Sequence, residues 1–161
     1  MRKVERTAYD RRRETTLDFF ESFSQYPDVF LSHFDGFRTR SHTYKETGEA
    51  ARRFAQRLRG AGILQGDKVL FWGENRPEWI AALWGCMLAG IVVVPVDYRA
   101  SSELLERIHG VARAKLLLTG DEVAADPLPG VLTWPLRSVE WLGPDGTFEP
   151  ATVGPNDVAE V

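Results

Sequence analysis

Apolar positions along this chain recur with two different periods, and the alternation between them predicts the elements. Leu17, Phe20 and Phe23 are spaced three apart within residues 16–25. That spacing puts them on one side of a helix, with Thr15 or Thr16 as its cap and Pro27 as its stop. Two short runs with strand character follow, at 29–34 and 37–43, separated by Asp35-Gly36. Asp-Gly between apolar runs predicts a hairpin, because both residues tolerate positive φ. Thr43-Tyr44-Lys45-Glu46 reads as a capping box, in which the Thr43 hydroxyl and the Glu46 carboxylate satisfy backbone amides reciprocally. The helix it opens carries Thr47, Ala51, Phe54, Ala55 and Leu58 on one face and ends at Gly60 and Gly62.

From Gln65-Gly66-Asp67, a turn, the pattern changes to short apolar runs separated by helical ones. Residues 68–72 read as a strand. Asn75-Arg76-Pro77-Glu78 starts a helix, with Asn75 as the expected cap and Ile80, Leu83, Trp84, Met87 and Leu88 on a wide apolar face. Gly90 suits the residue just past its end. Residues 91–94 form a second strand, apolar throughout, as a strand covered on both faces should be. Ser101 or Ser102 caps a third helix with Leu104, Leu105, Ile108 and Val111 inward, and 116–118 is a third strand. Residues 66–119 therefore predict a βαβαβ unit. Strands joined by helical crossovers form a parallel sheet with right-handed connections.

The expected architecture is α/β: a partial parallel sheet, preceded by a helix and a β-hairpin and followed by a Pro/Gly-rich part with short strands. Six of the nine prolines fall at or beyond Pro127, with candidate strands at 131–134 and 139–142. The expected organisation is a basic tail over 1–13, an α/β subdomain over 14–125 and a loop-rich segment over 126–161.

Composition narrows the classes. The chain has 161 residues, 43% hydrophobic and 27% charged, which excludes intrinsic disorder and coiled coil as its main character. One cysteine, Cys86, excludes a disulfide framework and a Cys-rich zinc site. The net charge of −3 argues against a nucleic-acid binder, although residues 1–13 alone carry +4. Residues 79–96 are uncharged over a length that meets the rule for a membrane span. Gly90, Pro95 and the β-branched second half instead predict a buried helix, a turn and a strand, so no transmembrane segment is expected.

The search for chemistry returns little. Gly60-Ala61-Gly62 follows a helix and precedes a strand, the reverse of the context a dinucleotide fingerprint needs. There is no G-x-S-x-G elbow and no H-E-x-x-H. His33 and His42 could face one another across the hairpin, but two histidines without a third ligand do not make a metal site. Cys86, Trp72, Trp79 and Trp84 read as core residues.

The order of short motifs is more specific. Thr43-Tyr44-Lys45-Glu46 is followed by Leu58-Arg59-Gly60-Ala61-Gly62 and Gly66-Asp67-Lys68-Val69. Then come Asn75-Arg76-Pro77-Glu78-Trp79, Ala89-Gly90-Ile91-Val92-Val93-Val94-Pro95 and Glu103-Leu104. This series resembles the N-terminal part of adenylate-forming enzymes: acyl-CoA synthetases, adenylation domains and luciferase-like proteins. Gly154-Pro155-Asn156-Asp157-Val158-Ala159-Glu160-Val161 resembles the segment just before that family's phosphate loop.

The resemblance implies a cytoplasmic ligase that makes an acyl-adenylate from a carboxylic acid and ATP with Mg²⁺, then passes the acyl group to coenzyme A. The machinery it implies lies beyond Val161, so it assigns no catalytic residue here and no metal ligand. It implies one binding feature: the loop after the second strand of the unit, where Tyr98 would wall the coenzyme A side and Arg99 would meet a phosphate. A helix-leading loop with a solvated Arg99 is the plain alternative. The helix 16–25 and the hairpin most resemble fatty acid–CoA ligases of medium or long chain. A fatty acyl-AMP ligase and an amino-acid adenylation domain remain open, as do a stand-alone binding or scaffold domain and, lacking its fingerprint, a dinucleotide-dependent oxidoreductase. The expected partners are the remainder of the same ligase chain and a small carboxylic acid, with a homodimer possible through open strand edges.

Overall fold

The structure is a computed structural model that describes residues 14–123, 128–139 and 148–161. The basic tail at 1–13 lies outside the described residues, as do positions 140–142 of the strand expected at 139–142. Helix α1, Thr16–Phe23, is capped by Thr15, whose hydroxyl accepts the Asp18 amide while Asp18 accepts the Thr15 amide. Strands β1 (Val29–Phe34) and β2 (Thr39–Thr43) form an antiparallel hairpin. β2 starts two residues later than the hydrophobic pattern suggests. The Asp35 carboxylate accepts the amides of Phe37 and Arg38, each at 3.0 Å, and draws both residues into the turn.

Helix α2, Tyr44–Gly60, opens on the expected capping box, with Glu46 Oε2 2.8 Å from the Thr43 amide. Then follow β3 (Lys68–Trp72), α3 (Pro77–Leu88), β4 (Val92–Val96), α4 (Ser102–Ala112), β5 (Leu116–Thr119) and β6 (Leu132–Pro135). A 3-10 turn at Leu136–Ser138 stands just before the expected strand at 139–142, and Val139 is buried. The cap of α3 is Arg76 and not Asn75. Pro77 occupies the first helical turn and forces its predecessor into extended geometry, which Arg76 adopts at φ −149° and ψ 165°.

The four strands β4-β3-β5-β6 pair in parallel in that order. β3 connects to a neighbour on one side and β5 to a neighbour on the other. The sheet is therefore doubly wound, and its topological switch lies between β3 and β5. Alternate residues of β3 face two cores. Val69 and Phe71 pack with Phe54, Leu58, Ala81 and Cys86 from the α2–α3 side. Leu70 and Trp72 pack with Val94, Val96 and Leu105 on the α4 side. Helix α4 turns Leu105, Ile108 and Ala112 inward, three- and four-residue steps that leave Val111 88% exposed and Leu104 at the margin, against the sequence expectation.

The uncharged run 79–96 resolves into α3, a turn at Gly90 (φ +68°) and β4. Among the described residues no helix is long and apolar enough to cross a membrane. Pro95 sits inside β4 without costing the sheet a bond. The Val93 amide and carbonyl point away from β3, toward Ala159 and Val161 at 2.9 and 3.0 Å. Position 95 shares that direction, so the missing N–H lies on the outer side of β4. The last described residues add a single parallel bridge on that outer side, Val93 to Glu160.

Candidate functional site

In an open α/β sheet, ligands bind beyond the carboxyl ends of the strands, in the crevice where the strand order switches. Here that edge is made by the segments after Trp72, Val96, Thr119 and Pro135. At the switch itself, backbone meets backbone. A Cβ added to Gly73 would stand 2.6 Å from the Gly120 amide nitrogen and 2.8 Å from Leu136 Cδ1, so only glycine admits this approach.

Directly beyond these glycines lies a charged cluster that closes the crevice. Arg76 Nη1 donates to Asp121 Oδ2 at 2.8 Å and Glu74 Oε1 at 3.1 Å, and Nε donates to Glu78 Oε2 at 3.0 Å. The Arg76 side chain is only 18% exposed. Glu74 in turn accepts the Asp121 amide at 3.1 Å and the Glu122 amide at 3.3 Å. Burial works to raise the Glu74 pKa, but these amides and Arg76 outweigh it and hold the carboxyl below its ordinary value. Burial likewise opposes the charge on Arg76, and the surrounding carboxylates more than restore it. Asn75-Arg76-Pro77-Glu78 is visible in the sequence, but its tie to Asp121 spans 45 residues and depends on β3 and β5 being neighbours.

The loop after β4 holds the two residues singled out from the sequence. Arg99 grips Asp97 with Nε at 3.1 Å and Nη2 at 2.8 Å, and its amide donates to the same carboxylate at 2.9 Å. These bonds bring the Asp97 pKa down to about 2. The guanidinium lies 5.6 Å from the centre of the Tyr98 ring, and the side chain is 74% exposed. Tyr98 and Arg99 thus sit together at the carboxyl edge, facing solvent, with Arg99 held by a local carboxylate.

Two clefts lie at the opposite, amino edge. One of about 590 Å³ is lined by Thr16, Phe19, Gly66, Met87, Val153 and Asp157. Asp157 there is engaged by the Gly154 amide at 2.8 Å and Gln65 donates to the Thr152 carbonyl at 3.0 Å; Glu14 also lines the cleft, whose remaining walls are mostly apolar. A shallower one of about 410 Å³ includes His109, Arg113 and Lys115, the last paired with Asp67 at 2.8 Å. Volume favours the amino edge, whereas topology and the density of charged groups favour the carboxyl edge as the candidate site.

The hairpin register sets His33 opposite Arg40 and His42 opposite Leu31, so the two histidines are not cross-strand partners. Burial lowers the His42 pKa. Among the described residues no group of three His, Cys, Asp or Glu side chains is arranged to hold a metal ion. Cys86 is fully buried and its thiol pushed up in pKa by that burial, the state of a core residue.

Comparison with known proteins agrees with this geometry. Residues 19–143 match the family described as AMP-binding enzyme. A feruloyl-CoA synthase from an Amycolatopsis species is 34% identical over 82 residues, which is 51% of this chain and 17% of that protein. A fatty acid–[acyl-carrier-protein] ligase from Streptomyces coeruleorubidus is 31% identical over 52% of this chain and 16% of its own length. The fatty acyl-adenylate ligase from L. pneumophila superimposes with a TM-score of 0.79 at 20% identity, over 92% of this chain and 28% of that one. The N-terminal subdomain of Klebsiella oxytoca NpsA does so with a TM-score of 0.72 at 27% identity, over 89% of this chain and 36% of that one. This chain spans less than a fifth of the curated relatives named here. With the family matched over most of its length and the same α/β architecture in place, the chain belongs to the AMP-binding enzymes, a family of adenylate-forming ligases.

Proposed function

We propose that this chain is the N-terminal part of a longer, cytoplasmic, ATP-dependent acid–thiol ligase. That ligase joins a carboxylic acid to AMP and then transfers the acyl group to coenzyme A. The observation that supports this most is the match of residues 19–143 to the AMP-binding enzymes, on an open parallel sheet whose carboxyl edge carries Asp97, Tyr98 and Arg99.

In this reading residues 14–125 are one subdomain of the ligase. ATP and Mg²⁺ are held mainly by groups beyond Val161, which supply the adenylation chemistry. The residues present fit one subordinate role. Arg99 is exposed and paired with the neighbouring Asp97, so a coenzyme A phosphate can take the place of that carboxylate, with Tyr98 as an adjoining wall. Arg76 does not fit such a role, because three carboxylates already surround it in a partly buried site.

The acid is proposed to be a medium- or long-chain fatty acid. A fatty acyl-AMP ligase, which stops at the adenylate or serves a carrier protein, is the second reading, favoured by the likeness to the fatty acid–[acyl-carrier-protein] ligase. Incubation of the longer protein with ATP, Mg²⁺, coenzyme A and separate fatty, aryl and amino acids, followed by mass spectrometry, tests the assignment. Acyl-CoA from fatty acids is the expected product. Adenylate without thioester would select the second reading, and turnover of amino acids alone would reject the fatty-acid assignment.

A further inference from the structure

The hairpin β1–β2 is a two-stranded sheet of its own, outside the parallel sheet. Rings fix its base: Phe30 stacks on Tyr44 with centroids 4.4 Å apart and lies 5.8 Å from Phe23. Its tip is open. Phe37 is 95% exposed and Phe34 64% exposed, flanking the Asp35-Gly36 turn. Lone surface phenyl groups are ordinary, but two at the end of one protruding turn form an apolar point.

Around that point stand one carboxylate, Asp35, and two guanidinium groups, Arg38 and Arg40, a net positive charge. Asp35 is committed within the turn, accepting the amides of Phe37 and Arg38 and, through Oδ2, Arg40 Nε at 3.2 Å. Arg38 lies farther from that carboxylate, at 3.9 Å, with a side chain 72% exposed. Across the register His33 stands opposite Arg40. The tip is thus a turn braced by Asp35 that carries two exposed phenyl rings, with the Arg38 and Arg40 guanidinium groups beside them. A protein partner would need a slot shaped to receive two rings splayed about a tight turn. A bilayer needs no such shape: it offers an apolar phase directly beneath a layer of negative phosphates.

The geometry points to the hairpin tip as a peripheral membrane anchor. Phe34 and Phe37 enter the boundary between headgroups and acyl chains of an anionic bilayer, and Arg38 and Arg40 meet lipid phosphates. Its residues belong neither to the Arg76 cluster nor to the Asp97–Arg99 loop, and the anchor does not depend on which acid the ligase activates.

Co-sedimentation of the 161-residue chain with vesicles tests it, using phosphatidylcholine alone and phosphatidylcholine mixed with phosphatidylglycerol. Binding is expected to the mixed vesicles, weakened by salt and at least about fivefold weaker to phosphatidylcholine alone. F37S should weaken it by roughly tenfold or more, and R38Q by about fivefold with a shallower salt dependence. Both substitutions lie outside the core, so circular dichroism should report unchanged folding. The proposal is overturned if the parent chain does not sediment with anionic vesicles, or if F37S sediments as well as the parent. A dimer that is lost in F37S, without vesicle binding, would also overturn it and assign the tip to a second copy of the chain.

Discussion

Arg76, at the N-cap of α3, reaches across the switch between β3 and β5 to Asp121, with 2.8 Å between Nη1 and Oδ2. One side chain thereby ties together two loops that leave neighbouring strands. R76M would leave Glu74, Glu78 and Asp121 facing one another without their cation. Asp121 is half exposed, so the loss is moderated by solvent and should be about 1–3 kcal/mol in urea unfolding at pH 7. An unchanged midpoint would mean that the cluster is decoration.

The same cluster sets a pH dependence. The Glu74 carboxyl is held below its ordinary value, so its contribution is present above the unfolded pKa and lost as pH falls through the folded one. E74Q should therefore be less stable than the parent at pH 7, with the difference shrinking below about pH 4. Glu46, lowered first by the Thr43 amide, should behave in the same direction. Urea midpoints for E74Q and E46Q across this range would check the sign.

Glycines separate packing from flexibility. A Cβ on Gly85 would stand 2.8 Å from the Ala51 carbonyl oxygen and 2.8 Å from Phe54 Cδ1, so α2 and α3 would have to part. G85A should cost about 1–3 kcal/mol. Gly110, inside α4, has no atom within 4 Å of such a Cβ. G110A should instead stabilise by about 0.5–1 kcal/mol. Paired thermal melts would show opposite shifts.

Residues 1–161 should bind ATP with Mg²⁺ weakly or not at all. Among the described residues at the carboxyl edge, Arg76 is enclosed by three carboxylates, and the one displaceable contact that Arg99 offers is too little to hold a triphosphate with its metal ion. Titration calorimetry should show no micromolar affinity.

Much of the fold was legible because local signals agreed. The Thr43–Glu46 box, Gly90 and the apolar run of β4 each stand where the pattern put them. Errors arose where one residue overruled its neighbours. Pro77 moved the cap of α3 from Asn75 to Arg76, and the Asp35 carboxylate drew Phe37 and Arg38 out of β2. The strand order 4-3-5-6 is not written in the sequence, because either side of β3 can receive a crossover. The Arg76–Asp121 pair was hidden for that reason. Tyr98 and Arg99 do follow β4 at its carboxyl end, as the βαβ pattern implies, whereas the grip of Asp97 on Arg99, two positions apart, depends on how the loop turns.

The most direct test of the central claim is carboxylic-acid-dependent exchange of labelled pyrophosphate into ATP by the longer protein, with residues 1–161 alone as the comparison. The account predicts Mg²⁺-dependent exchange with a fatty acid from the longer protein and none from residues 1–161. Exchange that no carboxylic acid stimulates, or full exchange from residues 1–161 by themselves, would contradict it.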